Sequence, residues 1–204
     1  MLDPATLTLL AITDDLRDGA DGLLARAQAV VRGGATMVQL RLKDADARTL
    51  TEVARAFVRS LPVPVLVNDR ADVALAAGAA GVHVGADDVP VAALRRVAPP
   101  GFLIGTSVGV DAEAANAREA DYVGIGPVFS SGSKLDAGEA IGVAEMARLA
   151  ALAGRLAVGI GGITPENAAQ VVAAGVAGIA VIRALFGATD PERAARRFRS
   201  AIGR

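Results

Sequence analysis

Eight short β-branched runs alternate with eight longer Ala/Leu/Arg-rich patterns along the 204 residues, and this alternation predicts an α/β fold, a single (β/α)8 TIM barrel. Strict alternation implies a parallel sheet covered by helices. Eight units with none left over match a closed barrel, for which roughly 200 residues is the lower end of the range. An open doubly wound sheet is the competing architecture and usually has fewer strands. No Pro/Ser-rich linker or low-complexity tail divides the chain, so residues 1–204 are expected to form one barrel domain.

Taken in order, the first strand is expected near 7–12 and the first helix near 18–33, with Gly34 where a left-handed residue commonly stops a helix. The second pair falls near 36–42 and 47–60, and the third near 64–68 and 70–77 with Gly78 as its stop. A fourth strand near 81–85 precedes a helix near 90–98. The fifth strand, near 102–106, leads to a helix near 111–119 that Asp111 can cap. The sixth strand, near 121–125, runs into the longest irregular segment, 126–141, before a helix near 142–153. The seventh unit pairs a strand near 156–160 with a helix near 165–174, signalled by Thr164-Pro165 at its start and Gly175 at its end. The eighth strand, near 177–182, is followed by a helix near 191–202 opened by Asp190-Pro191.

Composition narrows the function classes. Hydrophobic residues make up 52% of the chain, yet Asp, Arg, Gly or Pro break every apolar run before the roughly 18 residues a membrane span needs. The N-terminus shows no basic region followed by an apolar stretch, so a cytoplasmic protein is expected. There is no Cys, hence no disulfide and no thiolate chemistry, and the lone His83 argues against a His-based zinc site. A net charge of −1 and 3% aromatics argue against nucleic-acid binding. Association into a homo-oligomer stays open.

Reactive residues of a barrel sit at the C-terminal ends of its strands. The second strand ends Val38-Gln39-Leu40-Arg41-Leu42-Lys43, and alternation sets Gln39, Arg41 and Lys43 on the face opposite Val38, Leu40 and Leu42. With the apolar set against the helices, two cations and an amide point into the mouth, where they need a counter-charge. Asp69, after the third strand, and Asp88, after the fourth, can share an octahedral Mg²⁺ completed by water and phosphate oxygens; each can instead cap the helix that follows. His83 reads as a satisfied histidine of the barrel core. Ser107 ends the fifth strand facing inward. The loop Gly126–Lys134, with Ser130, Ser131 and Ser133 around Gly132, can wrap an anion. Gly161-Gly162 and Ile182-Arg183 follow the seventh and eighth strands, where barrels recurrently bind phosphate. Two anion sites facing each other suggest two phosphorylated small-molecule substrates.

The ordered series Val38-Gln39-Leu40-Arg41, Asn68-Asp69-Arg70, Gly81-Val82-His83-Val84-Gly85 with Asp88, Asp121-Tyr122-Val123-Gly124 and Gly161-Gly162-Ile163 resembles the thiamine phosphate synthase family (thiamine-phosphate pyrophosphorylases) over almost the whole chain. The resemblance implies a Mg²⁺-dependent transferase that joins hydroxymethylpyrimidine pyrophosphate to a thiazole phosphate and releases pyrophosphate. It implies that Arg41, Lys43, Asn68, Ser107 and Lys134 hold the pyrophosphate, with Arg41, Lys43 and Lys134 serving catalysis. Asp69 and Asp88 would hold Mg²⁺ and Gln39 would contact the pyrimidine. Gly162, Ile182 and Arg183 would line the thiazole phosphate site. Ser131 and Ser133, also carried over as substrate-binding, stand where the family usually has Thr. Ala86 stands where it usually has Gln, Arg183 where it has Ser, and Leu10 where an aromatic residue is common. The sister group, the TenI-like thiazole tautomerases, shares the barrel and resembles Ala11-Ile12-Thr13-Asp14-Asp15, but its catalytic His would fall at Gly109. A non-catalytic regulatory binder of thiamine intermediates is the third reading.

Overall fold

The computed structural model describes residues 2–130 and 139–203. Its eight parallel strands close in sequence order: β1 (Leu9–Ile12), β2 (Met37–Leu40), β3 (Val65–Asn68), β4 (Gly81–Val84), β5 (Leu103–Val108), β6 (Tyr122–Ile125), β7 (Leu156–Ile160) and β8 (Gly178–Val181). Leu10 pairs with Met37 on one side and Ala180 on the other, so β1 joins β2 to β8 and no sheet edge remains. Around this barrel lie α1 (Gly19–Arg32), α2 (Ala47–Ser60), α3 (Ala71–Ala77), α4 (Val91–Val97), α5 (Asp111–Asn116), α6 (Gly142–Ala153), α7 (Ala168–Ala173), α8 (Arg183–Phe186) and α9 (Pro191–Ala201).

The period of two along each strand sorts the apolar residues into two cores. Leu10, Ile12, Met37, Leu66, Tyr122, Val158 and Ala180 fill the barrel interior, and Leu7 joins them from a 3-10 turn at Pro4–Leu7. Their neighbours Leu9, Ala11, Val38, Leu40, Val65 and Val67 face outward and pack beneath Leu23, Val53, Phe57, Leu149 and Phe198. Buried alanines such as Ala27, Ala54, Ala74 and Ala195 let the helices approach the sheet closely. No helix among the described residues is long and apolar enough to cross a membrane.

Several local expectations shift. The Asp190 carboxylate accepts the Arg193 N–H at 2.9 Å and caps α9 as expected. Asp111, by contrast, is the first residue of α5 and pairs with Arg148, while Glu113 caps the turn by accepting the N–H groups of Gly109 and Val110 at 2.5 and 3.2 Å. Thr164-Pro165 opens a turn rather than a helix, and α7 begins only at Ala168. The four-residue α8 lies where only a loop was expected. β2 stops at Leu40, so Arg41 and Lys43 lie beyond the strand, and their placement follows from the loop rather than from strand alternation.

Candidate active site

A cavity of about 500 Å³ opens at the C-terminal mouth of the barrel. Leu10, Ile12, Tyr122, Val158, Ile160 and Ala180 give it an apolar wall. Polar groups enter from several sides: Gln39 from β2, His83 from β4, Ser107 from β5 and Glu113 from α5. Gln39 is 2% exposed; its Nε2 donates to Asn68 Oδ1 at 2.7 Å, and its Oε1 is buried without a hydrogen-bond partner among the described residues. An unpaired buried acceptor is costly unless a ligand supplies the donor. Its inward placement, expected from alternation, thus aims a buried acceptor at the cavity.

The charged rim stands beside this cavity, over β2–β4. Asp69 adopts a left-handed backbone, φ 63°, which brings it off the end of β3; its N–H donates to the His83 carbonyl at 2.8 Å. Burial, then a hydrogen bond and repulsion from the Asp88 carboxylate, push Asp69 up to about 6, against the partial relief that nearby Arg41 and Lys43 provide. The two carboxylates thus meet at the rim. Neither caps the following helix: α3 starts after Arg70, α4 starts after Pro90, and Asp88 instead accepts the Gly85 N–H at 2.7 Å. Lys43 is exposed and Arg41 half-buried, its backbone pinned by the Thr13 hydroxyl at 2.8 Å.

Gly161, Gly162, Ile182 and Arg183 line the cavity itself. Gly161 and Gly162 have φ of 95° and 62°, and a Cβ on Gly162 would lie 2.7 Å from the carbonyl oxygens of Phe129 and Ser130. Only glycine satisfies both demands, left-handed backbone and contact with the β6–α6 loop. Gly162→Ala is expected to lower stability by about 1–2 kcal/mol and to raise the KM for a phosphate-bearing ligand in the cavity. Thermal melts and separate KM values for two substrates check this; an unchanged KM would detach Gly162 from the site.

Sequence reasoning placed Ser131, Ser133 and Lys134 in the site, and these lie outside the described residues. It missed Glu113 and Tyr122, which line the cavity, and read His83 as core only. His83 is 9% exposed but reaches the cavity wall, with Nε2 3.1 Å from Ser107 Oγ. The signal for Glu113 was available: a Glu three residues after a turn residue is the usual reach-back position of a capped helix start.

Comparison with known proteins agrees with this architecture. A family model described as thiamine monophosphate synthase matches residues 9–185. A thiamine-phosphate synthase of Xanthobacter autotrophicus is 45% identical, with 99% of this chain and 98% of that protein covered. One from Methanoculleus marisnigri is 48% identical, with 86% of each covered. Among solved structures, a thiamine phosphate pyrophosphorylase from Pyrococcus furiosus superposes with a TM-score of 0.85 at 35% identity, covering 98% of this chain and 97% of that one. With the barrel, the cavity at its mouth and a match across most of its length, the chain belongs to the thiamine monophosphate synthase family.

Proposed function

We infer that the chain is a thiamine-phosphate synthase, a transferase that joins the pyrimidine of hydroxymethylpyrimidine pyrophosphate to the nitrogen of a thiazole phosphate and releases pyrophosphate. The observation that carries this reading, beside the full-length similarity, is a cavity at the barrel mouth with a charged rim next to it. Gly162, Ile182 and Arg183 line the cavity, and the Asp69–Asp88 pair, Arg41 and Lys43 gather on the rim beside it. Two such neighbouring anion sites suit two phosphorylated substrates held with their reacting rings together.

In this reading Arg41 and Lys43, with Lys134 from outside the described residues, bind the pyrophosphate and stabilise it as it leaves. Asn68 orients Gln39, whose free Oε1 accepts a hydrogen from the pyrimidine amino group. The apolar wall keeps water from the electron-poor carbon exposed when the C–O bond breaks. The donor set fits Mg²⁺: two hard carboxylates that repel one another, beside a subsite whose ligand brings its own oxygens. Asp69 and Asp88 would hold the ion, which would neutralise charge on the departing pyrophosphate. The substrates are small phosphorylated metabolites, consistent with a cytoplasmic enzyme that uses neither nucleic acid nor membrane.

The test is incubation of the purified protein with both substrates and Mg²⁺, followed by mass spectrometry. Thiamine phosphate should form only when both are present. Isomerised thiazole phosphate without condensation would instead indicate a tautomerase, although Gly109, at the position of that group's base, offers no side chain. Binding of both ligands without turnover would favour the regulatory reading.

A further inference from the structure

A hydrogen-bonded chain runs through the barrel wall behind Ser107. Tyr122 is fully buried in the interior core, and its ring lies over Gly105, the neighbour of both His83 and Tyr122 in strand register. Its hydroxyl lies 2.9 Å from His83 Nδ1, and His83 Nε2 lies 3.1 Å from Ser107 Oγ. Ser107 itself is exposed to the cavity. Three adjacent strands, β4, β5 and β6, thus each contribute one member.

The chain has a direction. Burial pushes the Tyr122 phenol well up from its ordinary value, so it keeps its proton. A buried hydroxyl proton needs an acceptor, and among the described residues His83 Nδ1 is the hydrogen-bond partner of that hydroxyl. Accepting at Nδ1 leaves a neutral imidazole with its proton on Nε2. Nε2–H then donates to Ser107 Oγ, and the serine's own proton is left to point into the cavity. The opposite direction would strand the phenol proton in the core and turn serine lone pairs toward an anion, which is unfavourable at both ends.

We propose that Tyr122 and His83 are positioning residues that fix Ser107 as a hydrogen-bond donor toward the pyrophosphate of the pyrimidine substrate. The identity of that anion rests on the synthase reading; the direction of the relay does not. Each donor polarises the next, so the outermost hydroxyl is a better donor than an isolated serine.

The protein contains one histidine, so ¹⁵N-histidine labelling of untagged protein reports on this ring alone. At about pH 8.5, well above the ordinary histidine range, the wild-type spectrum should show a pyridine-type Nδ1 and a pyrrole-type Nε2. Tyr122→Phe should give a mixed or reversed tautomer and lower kcat about tenfold, with the thiazole phosphate KM little changed. Ser107→Ala should lower kcat by at least as much, and the double variant should be no worse than Ser107→Ala alone, because the relay acts only through that hydroxyl. A pyrrole-type Nδ1 or a doubly protonated ring in the wild type would overturn the proposal. So would losses in the two single variants that add fully. The wild-type spectrum decides the direction even where a variant folds poorly. An inactive wild type with its proton on Nε2 would overturn the synthase reading and leave the relay standing.

Discussion

Asp69→Asn is expected to cut turnover about a hundredfold or more, the scale of losing a main source of electrostatic stabilisation for a departing anion, since Asp69 would hold the Mg²⁺ that neutralises it, while making the fold more stable at neutral pH. The two effects share one cause. Asp69 faces Asp88 in a half-buried corner, and its proton is held up to about 6 against an ordinary 3.8. Because the folded-state value lies above the unfolded one, folding favours the protonated form. The penalty for ionised Asp69 is therefore absent below about pH 4, grows between about 4 and 6, and is full above 6. Asparagine removes the charge, can donate to Asp88, and tolerates the left-handed backbone at φ 63° better than most residues. After allowing for solvent screening at a half-buried site, the gain is about 1 kcal/mol, or about 2–4 °C in melting temperature for a chain of this size. Melts across pH 4–8 check the sign: the advantage of the variant should appear as pH rises and level off above about 6. A variant that is less stable at pH 8, or fully active, would refute the account of this pair.

A large loss of stability is expected from Gly105→Ala. A Cβ there would overlap the ring carbons and hydroxyl of Tyr122, which is 0% exposed and the largest side chain in the interior core. Ring and backbone are both confined, so the overlap is relieved only by moving a strand or expelling the ring. Overpacking of this kind costs about 3 kcal/mol, lowering the melting temperature by about 6–12 °C. The His83–Tyr122 contact should be lost with it. Replacing Tyr122 by Leu opens the space, so Gly105→Ala should cost much less in a Tyr122→Leu background than alone. Equal costs in the two backgrounds would show that the ring is not what excludes the methyl group.

The barrel was legible because its period is redundant: eight repeats of strand and helix survive errors of two or three residues at any boundary. Gln39 was legible for the same reason, since it lies inside β2, where alternation holds. Arg41 and Lys43 were read by strand alternation, which does not apply to them because the strand ends at Leu40; they come near Asp69 on the rim rather than lining the cavity. Asp69 could not be separated from a helix cap in sequence; the left-handed turn that brings it to Asp88 depends on tertiary contact with the His83 carbonyl. His83 was read as a satisfied core histidine, and it is hydrogen-bonded to Tyr122, but the two extra residues of β5 carry Ser107 within its reach. The turn α8 is four residues long, too short for any helical period to announce it.

In the proposed mechanism the Asp69–Asp88 pair and the cations Arg41 and Lys43 form one site for a Mg²⁺-bound pyrophosphate. Calorimetric titration of inorganic pyrophosphate into the wild-type protein, with Mg²⁺ and then with chelator, tests it most directly. The account predicts weak binding of Mg²⁺ alone and pyrophosphate binding at least about tenfold tighter with the metal, since the anion's oxygens complete the ion's shell. Equal pyrophosphate affinity under both conditions would contradict it.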